Sequence, residues 1–180
     1  SASPAQFSCG RRVFVRDDAQ GWIEDARKSL PDYGHLQGDR FVSSSGAVVV
    51  YEYQAGGWQS QQTLSSAGVA AIDGDSIIVA NELGTVTLFN SQEQRWSSVA
   101  TFPFKASRVW IEGDTAVAAD SSNGMVYERV DGVWRERGDF DLENSSSGEY
   151  SIAIEQGHVL VSGNNDAYFL TAGLQVEGNV

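Results

Sequence analysis

The chain has 180 residues, 41% hydrophobic and 20% charged, which is typical of a globular protein with a sizeable core. Its net charge of -12 argues against nucleic-acid binding, because phosphate recognition needs clustered Lys and Arg. No apolar run reaches the roughly 18 residues that a membrane-spanning helix requires, so no membrane insertion is expected.

Five segments of similar length follow one another and are expected to form one domain over residues 1–180. The first, about residues 1–30, has three strand-like runs at 6–9, 12–16 and 22–27. The second, about 31–65, has its third strand at 47–53 and its fourth opening at Trp58. The third, about 66–105, is the clearest, with predicted strands at 67–72, 76–80, 85–89 and 96–102, the first two joined by an Asp-Gly turn.

The fourth segment, about residues 106–143, repeats this pattern, and residues 125–130 precede its tryptophan. The fifth, about 144–180, has strand-like runs at 150–155, 158–162 and 167–171 and a weaker one at 174–180. The first segment is expected to lack the strand that opens the others. Neither helical periodicity nor a glycine loop before a helix occurs, so the pattern predicts an all-β repeat protein without a nucleotide fold.

Two markers recur in the same frame along these segments. Tryptophans at the start of the predicted fourth strands are separated by 36, 38 and 38 residues: Trp22, Trp58, Trp96 and Trp134. Glycines recur at the turn between the first two strands: Gly38, Gly74, Gly113 and Gly157. A repeat near 38 residues with four short strands favours a β-propeller of about five small four-stranded blades. The blades could close as a ring or form an arc of a larger propeller. A parallel β-helix has shorter coils, and an immunoglobulin-type sandwich gives no reason for the repeated markers.

The repeated string is best seen as Ile111-Glu-Gly-Asp114, Gly124-Met-Val-Tyr127 and Gly132-Val-Trp134. It resembles the FG-GAP repeat of integrin-α-like propellers, over about residues 33–171. The resemblance implies an extracellular or cell-surface propeller used in adhesion or recognition. Some members of that family hold calcium in a longer loop, whereas the corresponding turns here have two residues, so no metal is expected.

One position in the predicted first strands stands out as a candidate ligand site. When the segments are aligned, His35, Ala71, Trp110 and Ala153 occupy the same position of the strand that lies nearest a propeller axis. Two copies keep alanine and two carry large rings with polar edges, so His35 and Trp110 are predicted to bind a ligand. Both rings could instead fill the axial channel or a gap between blades. The recurring tryptophans are expected to be structural anchors.

These observations predict a non-enzymatic binding module for a protein or glycan ligand, with no catalytic residue, metal or cofactor. A polysaccharide lyase or hydrolase is the enzymatic alternative, with His35 as base and Trp110 as a stacking surface. A structural subunit or arc of a larger assembly is the third hypothesis. The acidic, Ser- and Gly-rich composition with two lysines favours an extracellular or lumenal location.

Overall fold

A computed structural model describes residues 6–17, 19–92, 95–142, 150–162, 167–170 and 176–179. In these residues the chain forms nineteen β-strands and a single turn of 3₁₀ helix at Ala26–Lys28. The first seven strands are β1 (Gln6–Cys9), β2 (Arg12–Asp17), β3 (Gly21–Glu24), β4 (Gly34–Gln37), β5 (Arg40–Ser43), β6 (Val48–Gln54) and β7 (Gly57–Ser65). The next eight are β8 (Val69–Asp73), β9 (Ser76–Ala80), β10 (Val86–Gln92), β11 (Arg95–Phe102), β12 (Arg108–Glu112), β13 (Thr115–Ala119), β14 (Asn123–Val130) and β15 (Val133–Asp141). The last four are β16 (Ser151–Glu155), β17 (His158–Ser162), β18 (Ala167–Leu170) and β19 (Val176–Asn179).

Strands that follow one another in the chain pair antiparallel to form five separate sheets. We number these sheets blades 1 to 5: β1–β3, β4–β7, β8–β11, β12–β15 and β16–β19. The first has three strands and the others have four, as the sequence predicted. The described residues include no α-helix, and therefore none that could cross a membrane. The prediction of an all-β fold with small four-stranded blades is confirmed.

The blades fan out from their first strands. In blades 2 to 5, each first strand contacts the first strand of the next blade, in the series β4, β8, β12 and β16. The fourth strands β7, β11 and β15 contact one another much less. The first strands therefore lie nearest the centre, as predicted. No comparably extensive contact joins β16 to β1 in the part of the chain that the structure describes, so the blades form an open arc.

The tryptophans mark a repeated register. In blades 1 to 4 the second residue of the last strand is Trp, and it lies opposite Arg16, Tyr53, Ser91 and Arg129, respectively. A buried aliphatic residue lies three positions before each residue that faces a tryptophan. These four residues are Val13, Val50, Leu88 and Val126. This match places β2 and β3 in the third and fourth positions of a blade, so the described residues of blade 1 supply no innermost strand, in agreement with the prediction.

The outer strands of blades 2 to 4 share a further irregularity. The third residue after the tryptophan has no partner in the register and forms a β-bulge, at Gln61, Val99 and Arg137. Strand β10 also runs three residues further than predicted, because Asn90, Ser91 and Gln92 continue to pair with β11. Each bulge inserts one unpaired residue, and the three bulged residues are Gln, Val and Arg, so no shared residue type in the sequence marks the position.

Hydrophobic side chains fill the junction between neighbouring blades. At the junction of blades 3 and 4, Ile78 and Leu88 of the earlier blade meet Ile111, Ala116 and Trp134 of the later one. Trp96 in the same way joins the core between blades 2 and 3. Each of these tryptophans thus packs against the preceding blade, which supports the prediction that they are structural anchors.

Hydrogen bonds also connect the turns between first and second strands. The side chain of Gln37 accepts a hydrogen bond from the backbone N–H of Gly74, at 2.5 Å, and also donates one to Asp73. Asp73 in turn accepts a hydrogen bond from the backbone N–H of Gly113, at 2.6 Å. In blades 2 and 3 the residue before the turn glycine therefore holds the turn of the next blade.

Candidate functional site

The first strands of blades 2 to 5 line a cavity of about 310 Å³ at the centre of the arc. It contains both predicted ligand-binding residues, and its lining is formed by His35, Ala71, Val109, Trp110, Ile111, Glu112 and Ile154. The predicted alignment of these strands is correct. His35, Ala71, Trp110 and Ala153 lie opposite Val42, Ile78, Val117 and Leu160, which are equivalent residues of the second strands. Ala153 is not part of the cavity wall.

His35 connects blade 2 to blade 3. Its Nδ1 atom accepts a hydrogen bond from the backbone N–H of Ile72, at 3.3 Å. His35 is exposed, but the surrounding strands remove part of its hydration, which lowers the pKa of the imidazole despite the opposing effect of the Asp73 charge. A neutral ring whose Nδ1 accepts this bond carries its proton on Nε2, so the free edge of His35 is a hydrogen-bond donor.

Trp110 connects blade 4 to blade 5. Its ring is half-buried and lies 6.1 Å from that of Tyr150, with an angle of 52° between the ring planes. Arg108 also contacts Tyr150. Its guanidinium carbon lies 4.7 Å from the centre of the Tyr150 ring, and its Nη1 donates a hydrogen bond to the Tyr150 carbonyl at 3.1 Å. The indole is therefore held in place from one side while it contributes to the cavity wall.

The cavity combines an aromatic surface, a neutral donor and a carboxylate. Glu112, at the end of β12, is exposed and supplies the negative charge. Ala71 and Val109 also line the cavity, and their side chains are small and apolar. No group of three or more His, Cys, Asp or Glu side chains that could hold a metal occurs among the described residues. This set suits stacking and hydrogen bonding of a small polar group, in a volume at the lower limit of ligand pockets.

A second cavity, which the sequence did not indicate, opens at the opposite ends of the strands. It has a volume of about 500 Å³ and lies among the loops of blades 2, 3 and 4. Its wall is formed by Ser44, Gly46, Gly68, Val69, Ala80, Asn81, Glu82, Lys105, Ala106 and Ser107. Small residues in several separate loops create this space, and no sequence motif connects them.

Repeated four-stranded blades that radiate from their first strands define the fold as a β-propeller. No protein-family model and no curated protein sequence matches the chain. Solved structures do share its fold. One is Saccharomyces cerevisiae Sqt1, with a TM-score of 0.58 and 12% identity, covering 78% of this chain and 44% of Sqt1.

Two further structures extend the comparison. A chain of the mitotic checkpoint complex matches with a TM-score of 0.61 and 12% identity, covering 97% of this chain and 61% of that one. A putative 6-phosphogluconolactonase from Bacteroides uniformis matches with a TM-score of 0.60 and 11% identity, covering 99% of this chain and 70% of that one. The chain therefore spans from less than half to about two thirds of the length of these proteins. At such low identity the likeness shows the fold alone.

Proposed function

We propose that this protein is a non-enzymatic binding module that recognises a protein or glycan through the central cavity. The observation that carries the proposal is the meeting of His35 and Trp110 in one cavity, although they are 75 residues apart in the sequence. Propeller blades supply a rigid frame, and the exchange of alanine for large rings at two equivalent positions changes the cavity without changing the frame. Neighbouring propellers include a component of a checkpoint complex, which agrees with a protein partner.

The same geometry disfavours the enzymatic alternative. A general base needs a free lone pair near the proton that it removes. In His35 the lone pair of Nδ1 already accepts the Ile72 N–H, and Nε2 carries the proton. His35 therefore suits a role as donor to a ligand better than a role as base.

We further propose that the protein acts outside the cell or in a lumenal compartment. The resemblance of its repeats to FG-GAP propellers and its acidic composition with two lysines support this location. Immunodetection of the native protein in culture medium and cell fractions tests it, and a protein confined to the cytosol would contradict it.

Labelled protein applied to a glycan array and to a peptide array tests the binding function. We expect a bound glycan or peptide whose binding falls at least about tenfold in Trp110→Ala and His35→Ala, the loss of about 1.4 kcal/mol. Trp22→Ala is the matched control, because it removes the same side chain outside the cavity. Circular dichroism verifies that each variant is folded. Equal binding by Trp110→Ala and the unchanged protein would place the ligand elsewhere, and no binding on either array would refute the proposal.

A further inference from the structure

Three of the four junctions inside the arc cover the same position of the second strand. Val42, Ile78 and Val117 occupy this position in blades 2, 3 and 4, and each is 0% exposed because the next blade packs on it. Leu160 is the equivalent residue of blade 5, and it is 39% exposed. Blade 5 therefore presents the aliphatic half of a blade junction partly open to solvent.

Blade 1 presents the other half of such a junction. Trp96 and Trp134 pack on the preceding blade and are 7% and 4% exposed, whereas Trp22 is 49% exposed. The tryptophan of blade 1 is therefore much less covered than its equivalents in blades 3 and 4.

Charge differs between the two ends in a complementary way. Residues 1–30 contain five basic and four acidic side chains, and Arg12 and Arg16 are exposed on β2. Residues 144–180 contain four acidic side chains and neither Lys nor Arg. Contact between the two ends therefore brings the most basic part of the chain to a purely acidic part, which favours their association over pairing of like ends.

We propose that blade 5 of one copy packs on blade 1 of a second copy, head to tail, and rebuilds the junction found inside the arc. The two ends do not meet within one chain in the described residues, because β16 and β1 make no extensive contact. A head-to-tail contact uses two different surfaces, so it leaves one free end on each side of a dimer unless the ring closes. The tryptophan of blade 1 then takes the place that Trp134 has between blades 3 and 4.

Sedimentation equilibrium over a wide concentration range tests the proposal. We expect the mass to rise from 19.4 kDa to multiples of this value as concentration increases. Trp22→Glu and Leu160→Glu each place a charge in the proposed contact and should keep the chain monomeric. Val133→Glu is the control, because Val133 is 53% exposed on the outer strand of blade 4, away from both ends. All three sites are exposed, so the variants should fold, which circular dichroism verifies.

Mixing the two end variants tests the direction of the contact. Trp22→Glu keeps an intact blade 5 and Leu160→Glu an intact blade 1, so an equimolar mixture should form a dimer of one copy of each and grow no further. Self-association of Leu160→Glu alone would show that like ends pair, which would overturn the proposal. A monomeric mixture, or an unchanged protein that stays at 19.4 kDa at the highest concentration, would overturn it as well.

Discussion

The contribution of each outer-strand tryptophan to the free energy of unfolding should rise with the fraction of its side chain that the preceding blade buries. Trp134 is 4% exposed and Trp22 is 49% exposed, although both occupy the same position of the repeat. A tryptophan side chain buries roughly 200 Å², which contributes about 5 kcal/mol at ~25 cal/mol per Å². We expect Trp134→Ala to lower the free energy of unfolding by about 4–5 kcal/mol and Trp22→Ala by about half as much.

Urea unfolding followed by far-ultraviolet circular dichroism measures this difference independently of indole fluorescence. The samples must be dilute enough to be monomeric, so that association does not cover Trp22. The difference of about 2 kcal/mol corresponds to a gap of roughly 4–8 °C in Tm for a chain of this size. Because the two variants remove the same side chain, equal losses would show that a neighbouring blade is not what stabilises the tryptophan, and the account of the junctions would be wrong.

Two other predictions concern the backbone and pH. Gly68 has a φ of +151°, and a methyl group there would overlap the carbonyl oxygen of Ala80, so Gly68→Ala should cost about 1–3 kcal/mol in urea unfolding. Gly38→Ala, at a φ of +59° with no atom within 4 Å of the added carbon, should cost only about 1 kcal/mol, and the reverse order would contradict the predicted clash. His35 has a lowered pKa in the folded protein, so as pH falls below the ordinary value of 6.5 the unfolded chain takes up a proton before the folded protein does. The neutral His35 therefore contributes its full stability above that pH. This stability is lost as pH falls through the folded pKa. His35→Asn keeps an acceptor but does not titrate, so its Tm should fall less than that of the unchanged protein between about pH 7.5 and about pH 5.5, and parallel curves would exclude His35 as the cause.

The repeat made most of the fold predictable. Spacing of the tryptophans and turn glycines placed the blades, and β9 has the predicted bounds, Ser76–Ala80. The alignment that follows from this spacing also brought His35 and Trp110 to one side of the first strands, which the structure confirms. Whether these residues bind a ligand stays a prediction.

Other features depend on contacts that a repeat does not encode. Trp22 has the same place in the pattern as Trp134, but its exposure depends on whether another blade lies beside it. The cavity among the loops is formed by small residues such as Gly68 and Ala106 from separate turns, so no local pattern indicates it. The bond from Ile72 to His35 connects two blades through one backbone group, and backbone groups carry no sequence signal.

The bulges at Gln61, Val99 and Arg137 have a consequence for how molecules meet in a concentrated solution. Strands β7, β11 and β15 form the outer rim, and β7 has no charged residue to repel a neighbouring strand. An irregular rim strand offers a poor template for another chain, because its free backbone groups do not follow one continuous line. The bulges therefore disfavour fibre-like pairing of whole molecules through these three strands.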